Sequence, residues 1–238
     1  MPEPFAKDTD GFFARQFDRK ISGAISRRLV KTPITPNQIT VFVTLLGVGA
    51  GWLMMQRGYA AKVGGSLVFL LTSILDGCDG EVARAKQMTS RLGGWLDLWG
   101  DNVVHLAVFY GLGLGLYRDT ESLIYLKLGW AAVWGTLVSA TLASVQMRRK
   151  GQDSFTSVSG GDADLAQAPG WKRRLVAASD ALARRDFIYG VVVLAFINRL
   201  TWFMWACAVG SIIYACVLAV LAVFAGPSRA PADNPPKL

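Results

Sequence analysis

Residues 76–101 read DGCDGEVARAKQMTSRLGGWLDLWGD, and they place Asp76, Asp79, Asp97 and Asp101 where two apolar segments end and begin. Asp76 and Asp79 are three positions apart and share one face of a helix, which Gly80 and Ala83 continue. Gly93, Asp97 and Asp101 recur at i, i+4 and i+8 and share a face of a second helix. Two helices joined by a short connector therefore aim four carboxylates into one space. Like charges that close do not all stay ionised without a positive partner. A divalent cation is the simplest partner, and hard oxygen ligands without clustered Cys or His favour Mg2+ or Mn2+ over zinc.

The residues between the acids narrow the chemistry. Gly80, Ala83 and Gly93 lack bulk, so an extended ligand can approach the backbone closely. Arg84 sets a fork of donors beside the cation, suited to a phosphate. Cation, small residues and arginine together describe a site for a pyrophosphate-containing nucleotide, in which a metal bridges phosphate oxygens and neutralises charge on a leaving group. A carboxylate not fully committed to metal can take a proton from an attacking hydroxyl. Asp101, last on its face, is the candidate for that base.

The elements that must hold these residues are apolar helices. The chain has 238 residues and is 52% hydrophobic and 18% charged, against about a quarter charged in ordinary soluble domains. Apolar runs cover 39–55, 63–75, 103–117, 123–147, 188–197 and 202–225. Several approach the roughly 20 residues that cross a bilayer, and the shorter ones reach it when their polar ends, aspartates included, are counted as helix. Six transmembrane helices are expected. Residues 1–38 hold no apolar run of the signal-peptide kind, so the first span is expected to act as an uncleaved anchor. Cys78, Cys207 and Cys216 form neither a metal cluster nor a disulfide framework by spacing, and the latter two read as packing residues.

The net charge of +8 sorts by topology. With the N-terminus in the cytoplasm, 20 of the 25 Lys and Arg fall on the cytoplasmic side. Only Arg57, Lys62, Arg118, Lys127 and Arg199 face the other way. That is the positive-inside pattern, with attraction to anionic lipid, and it excludes a nucleic-acid footprint as the source of the charge. All four aspartates then lie at the cytoplasmic face.

Outside the spans, Phe13, Phe17, Ile21, Ile25 and Leu29 recur every four residues among basic ones. They predict an amphipathic helix at the membrane interface, or a cap packed on the bundle. Pro33 and Pro36 end it, and Thr35 or Asn37 can cap the first span; Asn37 could alternatively face the site. Gly111, Gly113 and Gly115 suit close helix contact. Residues 148–187 open polar and Gly/Ser-rich, then present Trp171, Leu175, Ala178 and Leu182 on another amphipathic face. The Pro-rich end, 227–238, reads as a disordered tail. His105, one turn beyond Asp101, is either a hydrogen-bond support for an aspartate or a packed core histidine.

The pattern Asp76-x2-Asp79-Gly80-x2-Ala83-Arg84-x8-Gly93-x3-Asp97-x3-Asp101 is complete, and it resembles the signature of the CDP-alcohol phosphotransferases. Eight fixed positions match by chance on the order of 10⁻¹⁰ per start. The resemblance implies an enzyme that transfers a phosphoalcohol from a CDP-alcohol to a hydroxyl acceptor and releases CMP. It implies Asp76, Asp79 and Asp97 as metal ligands, Asp101 as a further ligand and general base, and Asp76, Asp79, Gly80, Ala83, Arg84 and Gly93 as the nucleotide site. It also implies a homodimer, in a bacterial or archaeal cytoplasmic membrane. The expected organisation is an N-terminal segment (1–38), a six-helix transmembrane catalytic domain (39–226) and the tail.

Within the family, DGCDGEVARAK together with RRLVKTPITPNQIT is most similar to the membrane domain of di-myo-inositol-phosphate-phosphate synthases. A cytidylyltransferase domain of the kind often fused there is not expected within the 38 residues ahead of the first span, so CDP-diacylglycerol and CDP-inositol both stand as donors. For a phosphorylated acceptor, Arg148, Arg149, Arg184 and Arg185 are candidate contacts; positive-inside charge explains them equally. A transporter and an inactive scaffold are the rival classes. Transporters carry ionisable groups near mid-membrane, whereas these acids sit at one face beside Arg84, and an intact Asp101 argues against a dead relative.

Overall fold

The computed structural model describes residues 18–150, 169–171, 173–176 and 187–223. Phe13, Phe17, Ala178, Leu182, Arg184, Arg185 and the tail lie outside them, as do the side chains of Arg149 and Lys150. The described residues contain helices and no strand. In chain order the long helices are α1 (Arg19–Leu29), α2 (Pro36–Met55), α3 (Tyr59–Ala85), α4 (Arg91–Thr120), α5 (Leu123–Lys150), α6 (Phe187–Phe196) and α7 (Leu200–Val223). The acids are interior to α3 and α4, and the 63–75 and 103–117 runs lie inside helices of 27 and 30 residues, polar ends included.

Helices α2 to α7 close into a ring. α2 packs on α3 and α4, α4 on α5, α5 on α7, α7 on α6, and α6 returns to α3. Inside it, Met54, Phe69, Val108, Leu112, Ala132, Val191, Phe203 and Met204 form one buried core. The outside stays apolar: Leu45 is 66% exposed, Trp134 60% and Trp202 64%. A surface of that kind is stable in lipid rather than water. α2, α3, the 123–148 part of α5, and α7 are each long and apolar enough to cross a membrane. The ten residues of α6 are apolar but span only about 15 Å.

Close approach between helices rests on glycine. Gly111 faces the backbone of Gly51 on α2, Gly113 faces Gly129 on α5, and Gly115 faces Met54 O and Lys62, as the three-glycine pattern predicted. Helix ends follow local chemistry. Thr35 caps α2 in a reciprocal box with Gln38, Pro36 occupies the first turn, and Ser90 caps α4 by accepting from Gly93 N at 3.0 Å.

Both ends of the ring are polar. At one, Lys62 Nζ donates to Asp119 Oδ2 at 2.7 Å and to Gln56 O at 2.6 Å, while Arg118 reaches Met55 O and Gly58 N reaches Asp119. At the other lie the aspartates. Asp101 and Asp119 are eighteen residues apart on α4, about 27 Å at the helical rise. That separation approximates the hydrocarbon thickness of a bilayer, about 30 Å.

α1 docks beside the acidic end of α3. Its buried face is Ser22, Gly23 and Ser26, small residues that let it lie close. Arg19 Nη1 meets the fully buried Glu81 at 3.1 Å, and Ser22 Oγ donates to the same oxygen at 2.9 Å. Ile25 and Leu29 pack on a small cluster with Ile39, Val43, Cys78 and Val82, while Ile21 remains 45% exposed. The apolar stripe is thus divided between the bundle and the outside. All three cysteines are free.

Candidate active site

Three of the four acids converge. Asp76 from α3 and Asp97 and Asp101 from α4 each offer a carboxylate oxygen, and the three oxygens lie within 4.8 Å of one another. Asp79 is placed differently. Its Oδ2 accepts from Thr40 Oγ1 of α2 at 2.5 Å and its Oδ1 from Gly80 N at 2.5 Å, so it stands outside the three-oxygen group. It remains within electrostatic reach of Asp76 and Asp97.

This donor set fits a hard divalent cation. Oxygens of one octahedral shell, each about 2.1 Å from the ion, lie about 3 to 4.2 Å apart. The three oxygens, all within 4.8 Å of one another, lie close to that range. Three carboxylates and no thiol or imidazole in the group select Mg2+ or Mn2+.

The small residues form the open side. A Cβ on Gly80 would fall 3.3 Å from Arg84 Nη1, so the exposed guanidinium folds back over that glycine. A Cβ on Gly93 would fall 3.3 Å from Asn37 Oδ1. Thr35 is the α2 cap, which leaves the Asn37 side chain to face Gly93 at the rim of the site. The loop before α2 is pinned here too, because Lys86 Nζ donates to Thr32 O at 2.6 Å and Ile34 O at 2.8 Å. Arg148, at the end of α5, places its guanidinium 5.0 Å over the ring of Trp95, two residues before Asp97 on α4.

Residues 33–183 match the family of CDP-alcohol phosphatidyltransferases. The chain belongs to that family. Among curated members it is 36% identical over 129 residues to the bifunctional IPC transferase and DIPP synthase of Aquifex aeolicus, covering 54% of this chain and 28% of that protein. It is 33% identical over 135 residues to the phosphatidylinositol phosphate synthase of Mycobacteroides abscessus, covering 56% of this chain and 54% of that protein. The chain thus spans about a quarter to a half of the length of these two relatives. The fold matches the phosphatidylinositol phosphate synthase of Mycobacterium tuberculosis with CDP-DAG bound, at 18% identity and a TM-score of 0.60, over 90% of this chain and 99% of that one. The same enzyme in complex with manganese and citrate gives a TM-score of 0.58 at 18% identity, over 89% and 93% of the two chains.

Two contributors to the site depend on packing between distant helices and have no local signal in the sequence. Thr40 reads as ordinary helix sequence, and only the packing of α2 on α3 brings it to Asp79. Trp95 lies in the signature region, but its pairing with Arg148 is set by α5. Glu81, the remaining acid of residues 76–101, points at α1 and is bound by Arg19 and Ser22. His105 Nδ1 lies 2.8 Å from the backbone oxygen of Asp101, and its ring sits among Phe69, Phe109 and Phe187.

Proposed function

We propose that this chain transfers a substituted phosphate from a CDP-alcohol to the hydroxyl of a phosphorylated polyol, releasing CMP. The observation that carries this reading is the group of three carboxylate oxygens contributed by two helices of a family signature. Asp76, Asp97 and Asp101 would hold the cation, with Asp79 beside them, and Gly80, Ala83, Arg84 and Gly93 would receive the CDP moiety. A bound Mg2+ or Mn2+ supplies neutralisation of charge on the pyrophosphate oxygens.

The chain's own groups do the rest. Arg84 orients the phosphates by a forked contact. The acceptor oxygen bonds to the phosphorus that carries the alcohol, the bridging P–O bond to the cytidylate breaks, and CMP leaves. The hydroxyl proton passes to the Asp101 carboxylate. Arg148, held over Trp95 at the same end of the ring, would bind the acceptor phosphate, with Arg149, Arg184 and Arg185 as further candidates.

The ring α2–α7 is read as six membrane spans with the acids at the cytoplasmic face. The charge asymmetry of 20 to 5 supports this, as does the interval between the two polar ends. α1 would lie at the interface, with exposed Lys20, Arg27, Arg28 and Lys31 toward lipid headgroups. A homodimer in a bacterial or archaeal cytoplasmic membrane completes the reading.

CDP-diacylglycerol is the proposed donor and inositol phosphate the proposed acceptor. Met88 and Leu92, 48% and 63% exposed beside Gly93, give the site an apolar edge where lipid chains could rest. CDP-inositol is the second reading, favoured by the 36% identity to the bifunctional A. aeolicus enzyme. Purified protein with Mg2+ should release CMP from CDP-diacylglycerol when inositol phosphate is added. CMP release from CDP-inositol instead supports the second reading. No release from either donor with inositol phosphate, glycerol phosphate or serine would sink the transferase assignment.

A further inference from the structure

Thr40 of α2 stands between the acids of α3 and those of α4. Its Oγ1 lies 2.5 Å from Asp79 Oδ2, and its Cγ2 lies 3.5 Å from where a Cβ would stand on Gly100, the residue before Asp101. Thr40 and Asp79 are both buried, at 6% and 8% exposure. Water therefore does not replace the hydroxyl easily as a donor to that carboxylate.

The side chain behaves unlike its neighbours. Thr44, Thr72 and Thr141 donate to carbonyls four residues back on their own helices, which satisfies a hydroxyl locally. Thr40 has such a carbonyl too, Pro36 O at 3.2 Å, but its single proton has a shorter, charged partner on another helix. The branching at Cβ matters as well. With the hydroxyl turned to α3, the methyl is turned to α4 and fills the notch at Gly100 together with Thr44, whose Oγ1 is 2.6 Å from the same Cβ position.

We infer that Thr40 is a positioning residue for the cation site. Its hydroxyl fixes the rotamer of Asp79, and so the place of a fourth negative charge beside the group Asp76, Asp97 and Asp101. The inference rests on the proposed cation reading and extends it to a residue outside the signature. An outer hydrogen bond of this kind orients a charged group, and its loss typically weakens metal affinity by 10- to 100-fold.

The test is Mn2+ affinity, read from the free-ion electron paramagnetic resonance signal as detergent-purified full-length chain is titrated. Thr40→Val keeps the shape and the methyl contact but removes the donor; its Kd for Mn2+ should rise about tenfold or more. Thr40→Ser keeps the donor and should stay within about threefold of the parent. Thr141→Val, at an exposed site on α5, should not differ from the parent. If Thr40→Val does not yield folded protein, Thr40→Ala removes the same donor and carries the same prediction. Unchanged affinity in the donor-less variants, or equal losses in Thr40→Ser and Thr40→Val, overturns the inference while leaving the cation reading intact. A parent chain that binds no Mn2+ overturns the cation reading itself, and the inference with it.

Discussion

The α2–α4 seam offers a quantitative test of how the bundle holds its acids. Gly111 on α4 faces Gly51 on α2, and a Cβ there would come within 2.9 Å of Gly51 C and 3.2 Å of Gly51 Cα, and would also meet Gly51 O. Carbon atoms in good contact stand about 3.5–4.0 Å apart. The obstructing atoms are all backbone, so no side-chain rotation relieves the overlap in Gly111→Ala, and the helices must part by roughly 1 Å. Overpacking costs about 1–3 kcal/mol, and a rigid contact of this kind belongs at the upper end. About 3 kcal/mol corresponds to a loss of about 6–12 °C in Tm for a chain of this size.

Gly64→Ala is the matched control, because nothing lies within 4 Å of its added Cβ. Its helix-propensity gain is at most about 1 kcal/mol, so its Tm should hold or rise. Thermal unfolding in detergent, followed by intrinsic tryptophan fluorescence, reads both. Turnover should respond as well, since the same seam seats Thr40 and Thr44 at Gly100. A displacement of about 1 Å at a reacting centre lowers rates on the order of 10²-fold. A Gly111→Ala protein that unfolds with or above the Gly64→Ala control would refute the close-packed seam.

Three further perturbations separate the roles assigned here. Asp101→Asn should reduce CMP release by about 10²-fold or more while CDP binding stays within a few-fold; near-normal turnover removes the base role, and lost CDP binding makes Asp101 chiefly a ligand. Lys62→Met leaves Asp119 without its buried partner and should lower stability by about 2–4 kcal/mol in thermal unfolding. Its kcat at low temperature should be unchanged, since Lys62 and Asp79 lie seventeen residues apart on α3, about 26 Å; a large kcat loss in folded protein contradicts that separation. Arg148→Ala should raise the acceptor KM with little effect on the donor KM, whereas unchanged kinetics return Arg148 to a purely topological role.

The parts of this molecule legible in its sequence are those fixed by helical periodicity. The i, i+4, i+8 row of Gly93, Asp97 and Asp101 and the i, i+3 pair of Asp76 and Asp79 determine faces regardless of what surrounds them, and the glycines of α4 announce close contact before the partner helix is known. Contacts between distant segments were not legible. Nothing local tells Thr40 that Asp79 is its neighbour, or Glu81 that Arg19 will cover it, because the register of α2 and α1 against α3 decides both. The same applies to Lys62 and Asp119, which read as isolated charges and form an ion pair at the end opposite the acids. The α1 stripe was legible as amphipathic, but its seating on α3 uses Ser22, Gly23 and Ser26, a face defined by small size and invisible to a hydrophobicity pattern.

Asp76, Asp97 and Asp101 are proposed to form one cation site at one end of the ring. Crystals grown with Mn2+ and measured at a wavelength where manganese scatters anomalously test it directly. An anomalous peak should stand among those three carboxylates, near Asp79, and disappear in Asp97→Asn. A peak bound elsewhere, or none among the three acids at saturating Mn2+, would contradict it.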